Sequence, residues 1–372
     1  MGNFSIKDFL SSSKIFFYCT IWLATLLVIG TIAQNRVGIY QSQQIYFSSW
    51  LVSKGFILVP GARLVMVVMF INLSCKLLFA SPFRVKQLGV IISHYGVFFL
   101  LLGGFVTAYY SVEGAMVIPE NETVSYFEDY HEVELVVSDS SASDKPELLV
   151  VPGEELTKGK VISNASLNGR ITVVDFFKNA KVEERKEKSD ASARGLLNDF
   201  DIQALSLDVN SEKNRAAVIL ALDGLSPEID GTYVAFEFMP GEQTIQMGDR
   251  LVELSLRHKR YPLPFSIKLI DFSQELHPGT DKAKSYRSIV EVVDRDTTRR
   301  AEIVMNHPLR QENYTFYQSS FMQGGGEGDV TVLAVVKNYG RLFPYISSIV
   351  ICIGLFVHLL IQLPKLIVRQ EA

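Results

Sequence analysis

Hydrophobic residues follow two rhythms along the chain. Apolar runs crowd residues 14–110 and 343–364, and between those stretches hydrophobic residues alternate with polar ones. A membrane helix needs roughly 20 mostly apolar residues. Segments 14–33, 64–79, 88–110 and 343–363 meet that requirement, the second only by borrowing from its flanks. Thr31-Ile32-Ala33 resembles a signal-peptide cleavage site, but the apolar core before it exceeds a typical signal segment, so an uncleaved anchor is expected. The polar stretch carries period-2 or β-branched runs separated by turn residues: HEVELVVS, ELLVV, ITVVDFF, AAVILALD, TYVAFEF, FSIKLIDF, SIVEVVD, AEIVM, YTFYQSSF and VTVLAVV. The pattern predicts an antiparallel sandwich or a partly open barrel. Residues 186–215 read as a charged loop or insertion, and GGGEG at 324–328 as a hairpin turn. The expected fold is a membrane protein with four transmembrane α-helices, three N-terminal and one C-terminal. A mainly β extracytoplasmic domain lies between the third and fourth. The domains are 1–110, 111–340 and 341–372.

Lys and Arg in short loops set the orientation. Arg84 and Lys86 in SPFRVKQ, Lys76 just before it, Lys7, Lys14, Lys365 and Arg369 would be cytoplasmic, against Arg36, Lys54 and Arg63 in the opposing loop. Both termini then lie inside and residues 111–340 outside. Trp50, Tyr109, Tyr110 and Tyr345 suit the membrane interface, whereas Trp22 sits too deep in the first span.

Composition removes several classes. The 372 residues carry a net charge of -4 and no basic patch interleaved with aromatics, which argues against nucleic acid. Cys19, Cys75 and Cys352 all fall in the apolar runs, so the middle domain has no disulfide framework. CxxC and CxxCH are absent, which excludes a thioredoxin-like reductant and a c-type cytochrome. No HExxH, GxGxxG, Walker A or nucleophile elbow occurs in a suitable context, so a standalone hydrolase or dehydrogenase is not expected.

The chemistry left over is histidine in hydrocarbon. His94 lies six residues inside the third segment, roughly 9 Å deep at the helical rise. His358, in IGLFVHLLIQLP, lies at a similar distance inside the fourth, so the two match in depth. On a helix His94 shares an apolar face with Val90, Ile91, Val97, Phe98 and Leu101. Gly89, Gly96 and Gly103 repeat every seven residues on another face, where a helix can approach closely. Gly354, one turn from His358, leaves room for something flat. Two readings compete for each histidine: a ligand for haem iron, or a hydrogen bond to a neighbouring helix. No Asp or Glu accompanies either one, which counts against a proton relay. His131, His258, His277 and His307 lie in the β domain without a ligand constellation. His277 opens HPGT, a turn in which Gly279 is free to take positive φ.

An ordered set of motifs resembles the ResB/CcsB family of system II cytochrome c biogenesis. The set is GTIAQ, YFSSWLV, VPGARL, NLSCKLLF, GVIISHYGVFFLLLGG, EGAMVI, YPLPFSIKLIDF, HPGTDKAKSYRS, MNHPLRQENYTFYQSSF and VVKNYGRLFPYISS. The resemblance covers nearly the whole chain, with Ala33 where members often have Pro. It implies a multi-pass protein of the bacterial inner (plasma) membrane. With a CcsA-type haem lyase subunit, such a protein exports haem for covalent attachment to the CxxCH of apocytochrome c. The family's transmembrane haem ligand from this subunit matches His94, and the second axial ligand comes from the partner. His358 as a ligand rests on depth alone. Arg84, Lys86 and Lys76 could meet haem propionates or simply flank the spans. The chain has only Trp22 and Trp50 and lacks the partner's tryptophan-rich segment, so a non-catalytic or co-catalytic subunit is expected. The alternative is a haem-free membrane scaffold that holds apocytochrome c or the lyase subunit.

Overall fold

The computed structural model describes residues 5–370 apart from 82, 140–146, 164–168, 186–191, 239–242, 248–249, 281–282, 296 and 324–327. It divides into two units: residues 1–112, 312–314 and 336–372 form one, and 113–311 with 315–335 the other.

The first unit holds four helices long and apolar enough to cross a membrane: Ile6–Val37, Ala62–Ala80, Val85–Tyr110 and Phe343–Leu363. Each coincides with a predicted span. The last continues to Gln370, beyond its predicted end at 363. The Ser12 hydroxyl caps the main part of the first helix by accepting from the Lys14 N–H at 3.3 Å. Gly38, at φ 84°, ends it.

Polar side chains fix how the first two helices lie together. Asn72 donates to the Leu10 and Ser12 carbonyls, and Lys76 Nζ donates to Ser13 Oγ at 2.7 Å. At the other end of the contact Trp22 Nε1 donates to the Pro60 carbonyl at 2.9 Å. The second helix therefore begins level with Trp22. The first continues for about 15 residues more, roughly 22 Å. The chain folds back along that excess. The Ser42 hydroxyl donates to the Gly30 carbonyl at 2.7 Å. The Phe47 ring lies where a Cβ on Gly30 would come within 2.7 Å of it. A small antiparallel hairpin, Leu51–Lys54 with Ile57–Pro60, then leads into the second helix, its turn made by Gly55 at φ 65°.

The second unit is built of strands. Its larger sheet runs in the order Thr297–Val304, Ala283–Asp294, Arg250–Leu276, Thr123–Asp139, Val112–Pro119, Val330–Lys337, Tyr314–Met322, Leu309–Gln311. Gln243–Met247 pairs with Arg250–Leu276, and Glu147–Pro152 with Thr123–Asp139. A four-stranded sheet, Gly231–Phe236, Ala217–Asp223, Arg170–Phe177 and Val161–Ser163, packs face to face on part of it. Leu135, Val137, Leu254 and Leu256 there meet Val173, Val218, Leu220 and Ala235 in one core.

The rest of the large sheet curls on itself. Buried Ser288 and Thr331 hydroxyls lie 2.9 Å apart, and Ser288 donates to Gln318 Oε1 at 2.6 Å. Phe272 stacks on Phe321 with centroids 5.1 Å apart. The two expected alternatives, sandwich and partly open barrel, thus occur side by side. Arg250–Leu276 serves both, and its ladder to Thr123–Asp139 shifts register between Pro262 and Ile267. Pro262 and Pro264 lack the N–H that a continuous ladder requires.

All ten predicted runs are strands. The loop expected at 186–215 is corrected in part: residues 186–191 lie outside the described ones, but Phe200–Ala204 is a strand paired with Ala180–Glu184. Residues 324–327 of the expected hairpin turn also lie outside them, and the strands on either side are sheet neighbours.

Candidate functional site

The third helix owes its two-sidedness to glycine. A Cβ on Gly96 would come within 2.5 Å of Ile351 Cγ1, and one on Gly103 within 2.2 Å of Phe343. A Cβ on Gly89 would come within 2.3 Å of the His358 backbone nitrogen. The heptad glycines are therefore the seam along which the fourth helix lies, antiparallel and nearly backbone to backbone. Gly354 belongs to the same seam: a Cβ there would meet Ser93 Oγ at 2.4 Å. The space expected beside Gly354 for a flat ligand is taken by the third helix. Beyond the glycines, the Thr107 hydroxyl donates to Asn338 Oδ1 at 3.2 Å, which ties the chain entering the fourth helix to the end of the third.

His94 stands about 140° around the helix from Gly89, clear of that seam. Phe98, one turn on, stacks on Phe70 of the second helix with centroids 5.0 Å apart. His94 is half-buried, and its Nδ1 lies 2.7 Å from the Val90 carbonyl. A carbonyl only accepts, so Nδ1 carries the proton and donates it there. The lone pair is then on Nε2. Metal-binding histidines are oriented in the same way, with one ring nitrogen tied to a carbonyl and the other available. An imidazole of fixed tautomer on an apolar helix face fits an iron porphyrin, whose own surface is largely apolar. No group of three or more His, Cys, Asp or Glu able to hold a metal ion occurs among the described residues.

His358 sits elsewhere. Its backbone lies against Gly89, about five residues, or roughly 7.5 Å, from the level of His94. The equal depth expected from sequence is not found. That expectation placed the helix end at 363, whereas the fourth helix runs on to Gln370 and is offset against the third. The His358 ring is half-buried, and its Nδ1 is enclosed without a hydrogen-bond partner. At the Leu88 end of the third helix, Arg84 and Lys86 are exposed, while Lys76 is occupied by Ser13.

The histidines of the β unit engage carboxylates, a turn and a bridge. His258 Nε2 lies 3.3 Å from buried Glu237, whose other oxygen accepts the Ala216 N–H at 2.6 Å. His131 sits in a bulge where Asp129 Oδ1 accepts its backbone N–H at 2.8 Å; burial lowers its pKa most, partly countered by the Asp129 charge. The His277 carbonyl accepts the Thr280 N–H at 3.1 Å, and Gly279 takes φ 76° as the HPGT turn requires. His307 makes a backbone bridge to Val304.

Sequence reasoning missed the Trp22–Pro60 and Ser42–Gly30 bonds, which join residues far apart in sequence by a side chain and a carbonyl. No local pattern signals such pairs.

Residues 218–332 match the ResB-like family. Protein NrfI of Wolinella succinogenes is 26% identical over 267 residues, covering 70% of this chain and 26% of that protein. The chain thus spans about a quarter of the length of that curated relative.

Proposed function

The chain is a ResB-like membrane protein, and from that premise we propose that it is a haem-handling subunit of a system II cytochrome c synthase in a bacterial inner (plasma) membrane. Cytochrome c biogenesis follows from the family. The finer role rests on one observation, the Nδ1–Val90 hydrogen bond that leaves Nε2 of His94 free on an apolar helix face. Haem is here the cargo, carried to the extracytoplasmic side and joined through its vinyl groups to the thiols of a CxxCH. His94 offers Nε2 to the iron. Phe98, stacked on Phe70 one turn from His94, adds an aromatic surface to that apolar face. The second axial ligand belongs to a CcsA-type haem lyase subunit, since His358 lies at another level. Arg84 and Lys86, exposed at the Leu88 end of the third helix, suit propionates on the cytoplasmic side. Apocytochrome c is the proposed acceptor, and the β unit lies outside, as the Lys/Arg distribution favours.

The test is an absorption spectrum of the protein purified with its partner, wild type beside His94→Ala. A Soret band that is strong in the first and lost in the second, and restored by added imidazole, is the expected result. Equal haem in both would overturn the ligand role of His94. No haem in either, from haem-replete cells and with the complex intact, would favour a haem-free scaffold. His358→Ala is expected to leave most of the band in place.

A further inference from the structure

The two ends of the large sheet meet and fail to join. Thr297–Val304 and Leu309–Gln311 are consecutive in sequence and lie at opposite ends of the strand order. A tight turn, with Asn306 at φ 67°, brings them together, and Val304 and His307 form one backbone bridge. A hairpin continuing from that bridge would pair Ala301 with Arg310. No such ladder forms. Farther along, side chains cross the seam: Arg299 Nη2 donates to Gln311 Oε1 at 3.0 Å, and Gln311 Nε2 to Asp294 Oδ2 at 3.3 Å.

The opening is a cavity of about 530 Å³ lined by Arg299, Glu302, Val304, His307, Leu309 and Arg310 among others. Its one carboxylate, Glu302, is paired with Arg287 on the neighbouring strand. Arg310 in the lining and Arg300 beside it are exposed and make no ion pair among the described residues. The site therefore combines a strand edge that is unladdered over residues 297–303, whose outward backbone N–H and C=O groups can take a partner strand, with exposed arginines that make no ion pair among the described residues and a floor of Val304 and Leu309. We propose that this seam binds an extended, acidic peptide segment, which adds as a strand along residues 297–303 and sets its carboxylates against Arg300 and Arg310. Backbone bonds supply the affinity. The arginines select the charge and favour bidentate contact with carboxylate.

The test uses the full-length protein in nanodiscs and a short fluorescent peptide of alternating Glu and Thr. A Lys/Thr peptide and a Glu/Pro peptide of equal length are the controls. The expected result is binding of the first alone, with slowed amide exchange across 297–303. Arg310→Glu should weaken it about tenfold. Arg300→Glu, on an exposed position of the same edge, gives a second reading should the first variant fold poorly. Equal binding of the Glu/Pro peptide, or binding without slowed exchange, would mean charge attraction only and overturn strand addition. Equal binding of the Lys/Thr peptide, or no binding at all, overturns the proposal outright.

Discussion

A single hydrogen bond decides what His94 offers. With Nδ1 held by Val90, the ring cannot spend its other nitrogen on its own helix, and Nε2 points its lone pair outward. The same logic of one group fixing another operates in the β unit. Buried Glu134 meets Arg257 through both Nε and Nη2 at 2.9 Å. Arg257→Ala would strand that carboxylate, at a cost of about 3 kcal/mol, because removing one partner of a buried pair leaves an uncompensated charge. A thermal melt of the full chain in detergent, with amide exchange across Thr123–Asp139, would register it; an unchanged melt would show the carboxylate rescued by water. His94 was legible in sequence because an ionisable residue in hydrocarbon stands out. The relation of His358 to it was not, since depth depends on how two helices are offset and no single segment carries that information.

Helices were legible for the same reason that Gly89, Gly96 and Gly103 were: the heptad spacing is local, and so is the apolar run. The seam they form makes a sharp demand. Gly96→Leu would drive a side chain into Ile351, where even a Cβ has no room. The expected outcome is separation of the third and fourth helices, read as lost cross-linking between cysteines introduced at Thr107 and Asn338, whose side chains meet. Gly104→Leu, on an open face of the same helix, should leave the cross-link intact. Strands were legible where side chains alternate in or out of a core, as in AAVILALD. The pair Ala180–Glu184 with Phe200–Ala204 was missed because these short strands carry polar residues and pair mainly with each other. The unbroken length of Arg250–Leu276 was also hidden, because Pro262 and Pro264 read as interruptions.

For the molecule as a whole, the division into a membrane unit and a β unit was plain from hydropathy, while the joining of sandwich and curled sheet was not. That joining depends on long-range contacts such as Phe272 with Phe321. The proposed sidedness has a direct check. Glu212→Cys in the β unit should react with a membrane-impermeant maleimide in intact cells, and Val85→Cys only after permeabilisation. The reverse pattern would invert the topology. Native cysteines should interfere little, since all of them lie within the helices. The fold-back at Pro60 has a spectroscopic corollary. The chain's two tryptophans, Trp22 and Trp50, both belong to the membrane unit, and one of them makes the bond that anchors the fold-back. Intrinsic emission excited at the red edge is therefore a private signal of that hinge, silent about the β unit. Far-ultraviolet ellipticity sums the helices and strands of both units, so a far-ultraviolet transition that leaves the tryptophan emission unchanged belongs to the β unit.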